Sequence, residues 1–350
     1  MKKVLLFLII LFIPLYFTGC DSEIHDRMII RGIGIDYENE FIKLNVRVED
    51  VLNNSEINMQ TKGETVYDAL TNLSLQSGSR QMYADSYFIV FGKSMAKEGI
   101  EKAADFFVRY FKALPTEQIF IAENKAEDIL LAEKEGKLIP SSVIKDLKNS
   151  GKNSGKAVSV SLMELLSDAM SPSLVTVIPC IDNKEDKLIL SGAYVFKNLD
   201  PRLYLNNSEI ESLMIAKGDI STASVVCNNE VYGKVSLELN KSKVKVDIDK
   251  LPGKINYEIE VSSFITSVSP ISPKKIVKVE EIEKDAAEKI RGKIMTLISK
   301  CYKNECDVLG IKYKIYREKI KENIKESEYD FNVIVKMNIN KTGHEGDLNA

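Results

Sequence analysis

Apolar residues are distributed along the chain in three different rhythms. Residues 4–17 form one unbroken apolar run. Downstream the rhythm falls to period two. Ile42, Leu44, Val46 and Val48 alternate with Lys43, Asn45, Arg47 and Glu49, which predicts a half-buried strand with one face in the core and the other wet. Residues 28–35 supply the preceding arm, and the polar stretch 36–40 the turn of a β-hairpin. Helical spacing follows. Val66, Leu70 and Leu73 share one face of a helix over 64–76 that ends near Gly78. A strand over 86–91, a single helix over 96–112 with Ile100, Ala104, Phe107 and Phe111 inward, a strand over 118–122 and a short helix over 125–133 continue the series. Strands alternating with helices place helices against a sheet.

Residues 148–156 are rich in Lys, Asn, Ser and Gly and read as an exposed loop. A helix over 161–169, a strand over 174–181, a polar turn over 182–187 and a strand over 188–196 come next. The second half is richer in β-branched alternation, over 223–227, 233–239, 243–248, 255–265 and 331–339. It holds one long helix over 279–302, with Ile282, Ala286, Ile290, Ile294, Leu297 and Cys301 on one face and Lys and Glu on the other. The expected fold is therefore α+β, or mixed α/β. An N-terminal mixed sheet with packed helices precedes a C-terminal antiparallel sheet covered by a long amphipathic helix. The expected divisions are a signal peptide over 1–19, a tether over 20–27, an N-terminal domain over 28–185 and a C-terminal domain over 186–345, with a subdivision near 218.

The first apolar run changes the picture from a purely soluble chain. Lys2 and Lys3 precede it, and its length suits the core of a signal peptide better than a membrane span, which takes roughly 20 residues. Phe17-Thr18-Gly19-Cys20 stands where a lipobox would stand. Cys20 is accordingly the expected lipidation site. A diacylglycerol there inserts two chains at about 0.8 kcal/mol per buried methylene, enough for stable anchoring without a span.

Charge and residue inventory exclude several chemistries. A net charge of -3 with Lys and Arg scattered among acids offers no platform for nucleic acid. The only histidines are His25 and His344, so a His metal site or a Ser-His or Cys-His pair lacks material. Cys180, Cys227, Cys301 and Cys306 have no CxxC spacing and read as free thiols, or at most one pair. Gly151-Lys152-Asn153-Ser154-Gly155-Lys156-Ala157 imitates a phosphate loop, but it is one residue short between its glycines and lacks the hydroxyl that holds magnesium. Gly32-Ile33-Gly34 runs into a turn and strand rather than a helix, unlike a dinucleotide fingerprint. Asp247 and Asp249 read as a solvated strand face rather than a calcium loop. No catalytic, cofactor or metal residue is assigned, and no cofactor is expected.

Several segments together resemble the Ger(x)C, or GerAC-like, family of spore germination lipoproteins. They are the lipobox cysteine, Arg31-Gly32-Ile33-Gly34-Ile35-Asp36, Leu73-Ser74-Leu75-Gln76-Ser77-Gly78-Ser79-Arg80, Gly192-Ala193-Tyr194-Val195-Phe196, Tyr204-Leu205-Asn206-Asn207-Ser208-Glu209, Asp307-Val308-Leu309-Gly310 and Lys341-Thr342-Gly343. The chain departs from the pattern after the cysteine, where Asp21-Ser22-Glu23 replaces the usual Trp-Asp-Arg. The resemblance implies a non-enzymatic C subunit of a nutrient germinant receptor. Its partners would be integral A- and B-type subunits and the lipid bilayer, on the outer face of the spore inner membrane. The alternative is a solute-binding lipoprotein of a nutrient uptake system. A surface hydrolase ranks last, because only carboxylate or Lys chemistry is at hand.

Overall fold

The computed structural model describes residues 27–50, 53–83, 85–109, 116–171, 173–230, 233–248, 253–269, 279–318 and 325–342. Residues 1–26, with Cys20 and His25, lie outside them, as do Phe111, Asp249, Gly343 and His344. The alternating segment forms the expected hairpin of β1 (Arg27–Glu38) and β2 (Phe41–Asp50). Its turn residues Asn39 and Glu40 have φ of 50° and 69°, the paired positive values that match the twist of a tight hairpin. The reading by period missed β3 (Ser55–Gly63), an edge strand antiparallel to β2, because its outer positions are polar and partly exposed.

Helix α1 (Val66–Ser77) starts where the Thr65 hydroxyl accepts a hydrogen bond from the Asp68 amide at 3.1 Å. The short β4 (Arg80–Met82) then lies parallel to the start of β1. Strands β5 (Phe88–Phe91), β6 (Gln118–Ala122) and β9 (Thr176–Lys184) continue the parallel set, and β7 (Glu133–Lys134) and β8 (Lys137–Leu138) form a separate small antiparallel pair. β10 (Lys187–Lys197) and β11 (Asp200–Leu205) close the far side antiparallel. The order β11-β10-β9-β6-β5-β1-β2-β3 makes the mixed sheet that the alternation of elements implied.

Two local expectations are overturned. The single helix over 96–112 is α2 (Lys93–Glu98) and α3 (Glu101–Arg109), broken at Gly99, whose φ is 89° and where the next amide, of Ile100, donates to Leu199 O at 3.1 Å. The loop over 148–156 is instead the end of α5 (Ser141–Ser154), which follows the short α4 (Ala126–Leu130). Gly151 is buried, and a Cβ there would stand 2.8 Å from that of Ala157, so this glycine serves close packing rather than flexibility. Gly155, at φ 64°, ends the helix by donating to Gly151 O at 2.9 Å. Helix α6 (Leu162–Ala169) then crosses the beginnings of β6 and β9. Its N-cap Ser161 bridges Gln118, and Thr176 donates to Asp168 near its end at 3.0 Å.

The first sheet is buried on both faces. Its β1 and β2 apolar positions meet α1, α2, α3 and α6 on one side, while Phe88, Val90 and Phe120 meet α4 and α5 on the other. This second covering buries Asn45 and Arg47, which the alternation had assigned to water.

The second sheet comprises β12 (Ala223–Asn229), β13 (Gly233–Ile248), β14 (Lys254–Ser269) and β15 (Asp330–Thr342), in that order. The two strands read over 233–239 and 243–248 are one, with a register shift between Leu239 and Lys241. α7 (Asn207–Lys217) and the long α8 (Val279–Lys303) bury its inner face. The chain passes through α8 and α9 (Ile311–Arg317) before β15, and that long crossover brings β15 in parallel to β14. The sheet expected to be antiparallel is thus mixed. Residue 185 falls in the β9–β10 turn, inside the first sheet, and the change of sheet comes between Leu205 and Ala223, around the point near 218.

Candidate functional site

The segment Arg31 to Asp36 runs along β1 and is built for contact with its neighbours. A Cβ on Gly32 would lie 2.3 Å from the Phe88 ring, and one on Gly34 2.7 Å from a Leu130 methyl. Asp36 ends the segment almost fully buried. Its Oδ1 accepts from the Ala126 amide at 2.9 Å and its Oδ2 from the Glu127 amide at 3.1 Å, so the carboxyl group sits on the first turn of α4. Burial raises its pKa above the ordinary carboxylate value, and the two amides pull in the opposite direction. This is the carboxyl end of a parallel strand, where open α/β sheets place ligands, and here the protein's own side chain fills the helix terminus.

Arg47 is the largest fully buried side chain of the described residues. Its Nε donates to Leu130 O, and its Nη1 donates to Ile139 O at 3.0 Å and Glu56 Oε2 at 3.2 Å. Glu56 also accepts from the Ser141 hydroxyl at 2.6 Å and from the Ser141 amide at 3.1 Å, at the start of α5. One partly buried ion pair therefore ties β2 and β3 to the helices on the second face. The alternation did not reveal it, although an Arg and a Glu near opposed positions of a hairpin were there to be paired.

Asp307 of the segment 307–310 is another structural carboxylate. It accepts from the buried Tyr302 hydroxyl and, at 2.6 Å, from the Lys312 amide, which fixes the turn between α8 and α9. Burial pushes both pKa values up. The segment 73–80 forms the end of α1 and its passage into β4.

Charged residues of α8, read from the sequence as a solvated face, instead reach both rims of the second sheet. Lys289 donates to Val226 O on the β12 side at 2.6 Å, Arg291 donates to Val333 O on the β15 side at 2.9 Å, and Glu283 accepts from the Ile339 amide at 2.8 Å. Edge strands otherwise present such groups to other chains. Lys300 joins the two sheets by donating to Tyr204 O at 2.7 Å and to Glu209 at 2.8 Å. Lys197 reaches the other way, to Glu305 O at 2.6 Å and to the buried Glu326 at 3.2 Å.

The four cysteines of the described residues are buried free thiols. Desolvation pushes Cys301 up to about 12 and Cys306 up to about 11, so neither is a thiolate at neutral pH. The phosphate-loop imitation is a helix end, and Asp247 stands exposed on the outer face of β13. A shallow groove beside β15 is lined by Glu283, Ala287, Arg291, Val335 and Met337. No helix among the described residues is long and apolar enough to cross a membrane.

Two family models tile this architecture. One, described as the spore germination protein N-terminal domain, matches residues 21–183, and the other, spore germination B3/GerAC-like, C-terminal, matches residues 191–343. The chain belongs to the GerAC-like spore germination family. The resemblance carried by the sequence segments is thereby established, and the protein has a role in spore germination. No curated protein matches. The crystal structure of the GerBC protein covers 88% of this chain and 97% of its own, with a TM-score of 0.57 and 15% identity, a likeness of fold. The GerAC-like N-terminal match begins at the residue after Cys20, and its C-terminal counterpart begins within β10.

Proposed function

We propose that this GerAC-like chain is the non-catalytic C subunit of a spore germinant receptor, anchored by lipid on Cys20 to the outer face of the spore inner membrane. It acts through contacts with integral A- and B-type subunits. The observation that carries the reading is the tandem of family matches over 21–183 and 191–343, directly preceded by the signal-like run and Cys20. Asp36 serves the fold here, holding the first turn of α4 through the Ala126 and Glu127 amides. The anchor keeps the two sheets beside the integral subunits at high effective concentration, so modest contacts suffice for assembly. The Lys300 and Lys197 links give the sheets a fixed relation through which a contact on one bears on the other.

The test is an affinity pull-down of the tagged protein from detergent-solubilised spore inner membranes, comparing wild type with Cys20→Ala. Co-purification of two polytopic receptor subunits, weakened by the substitution, is the expected result. Reproducible recovery of a transporter, with the receptor subunits expressed yet absent, overturns the reading in favour of a solute-binding lipoprotein.

A further inference from the structure

Strands β1, β4, β5, β6 and β9 are parallel, so all of them begin at one end of the first sheet. The chain enters the fold at that end, at Arg27. Six residues, 21–26, separate Arg27 from Cys20. Even fully extended, this link reaches at most about 25 Å.

The same end carries the two most exposed large apolar side chains of the described residues. Met170, 87% exposed, follows the last turn of α6, and Leu75, 80% exposed, stands in the last turn of α1. Met163, on the first turn of α6, is 58% exposed. Arg27 and the paired Arg80 are exposed at the same end, at the starts of β1 and β4. Strands are spaced about 4.8 Å apart, so β6 and β9, under α6, lie roughly 10 and 14 Å from β1 along the sheet, inside the span of the link.

From this juxtaposition we propose that the end of the first sheet bearing Leu75, Met163 and Met170 is a membrane-contact face that inserts these side chains into the bilayer, with Arg27 and Arg80 at the level of anionic headgroups. The occupant is lipid because the short link holds this end at the bilayer surface. Exposed apolar side chains with flanking Arg are the composition of an interfacial contact. The inference rests on the lipid-anchor reading and adds an orientation to it. The first sheet stands on the membrane by this end, and the β9–β10 turn points away.

The chain has no Trp, so single substitutions provide unique reporters. The full-length lipidated protein, carrying Leu75→Trp, Met163→Trp or Met170→Trp, is reconstituted on vesicles of phosphatidylglycerol and acyl-brominated phosphatidylcholine. Ile189→Trp, near the β9–β10 turn at the opposite end, is the control. Flotation with the vesicles, together with blue-shifted emission quenched by bromine at the first three positions and unchanged at the fourth, is the expected result. Flotation without quenching at those positions, or with equal quenching at all four, overturns the face and leaves the anchor standing. Failure to float removes the anchor reading and the proposal with it.

Discussion

Removing the Glu56 carboxylate strands the guanidinium of Arg47, the side chain on which the second face of the first sheet is built. In the native protein Arg47 is fully buried, while the Glu56 side chain keeps 18% of its exposure. Breaking a buried pair by deleting one partner costs about 3–5 kcal/mol, because the remaining charge has lost its counterion in a poorly solvating site. Two carbonyls, of Leu130 and Ile139, still receive the guanidinium, and the Glu56 end is partly wet, so the lower end of that range applies. Glu56→Ala also frees the Ser141 amide and hydroxyl, at about 1 kcal/mol for a lost helix-start contact. The expected loss is therefore about 4 kcal/mol, a large share of the 5–15 kcal/mol that holds a typical domain. Urea unfolding followed by circular dichroism reads it as a lower midpoint at unchanged slope. The double variant Arg47→Met with Glu56→Gln, which removes the charges on both sides, recovers part of the loss. A loss below about 1 kcal/mol in Glu56→Ala would refute the argument that this pair is held in a low-dielectric site.

Glu127 gives a pH signature. The Lys43 ammonium, donating at 2.7 Å, holds its carboxyl below the ordinary range. A carboxylate with a depressed folded pKa contributes stability above its unfolded value of about 4.3 and loses it as pH falls through the folded one. Glu127→Gln is expected to be less stable than wild type at neutral pH by about 0.5–1 kcal/mol, the gap closing as pH drops below that window; a gap independent of pH would show that the pair contributes nothing through charge. For the thiols, Cys180, Cys227, Cys301 and Cys306 are expected to resist a disulfide reagent in the native protein and to react together in denaturant, and rapid native reaction of Cys301 or Cys306 would contradict their burial.

The elements legible in the sequence were those whose pattern is local. β2 and α8 each carry their own period, β6 is a short apolar run, and a segment such as 279–303 needs no knowledge of its partners to read as a helix with one apolar face. Apart from the polar edge strand β3 and the irregular β13, the misreadings lie where a distant element decides the outcome. Arg47 is polar and sits at an alternating position, yet α4 and the segment before α5 close over it. Gly151 reads as loop until Ala157 packs on it, and the direction of β15 depends on the path through α8 rather than on any residue of the strand.

The same distinction bears on function. The segments that carry the family resemblance are strongly worded in sequence, but in the fold Gly32 makes room for Phe88, Asp36 holds the start of α4 and Asp307 holds the turn after α8. These three positions encode a scaffold, and they identify the family without pointing to a ligand, whereas Leu75 and Arg80 of the segment 73–80 stand exposed. A protein that acts by being held beside others carries its specificity on exposed positions, and a single sequence gives those positions no period. Leu75 within α1 and Met170 just after α6 do not stand out in the sequence. They acquire meaning only when the topology gathers the starts of five strands, the short link from Cys20 and two exposed Arg side chains at one end of the first sheet.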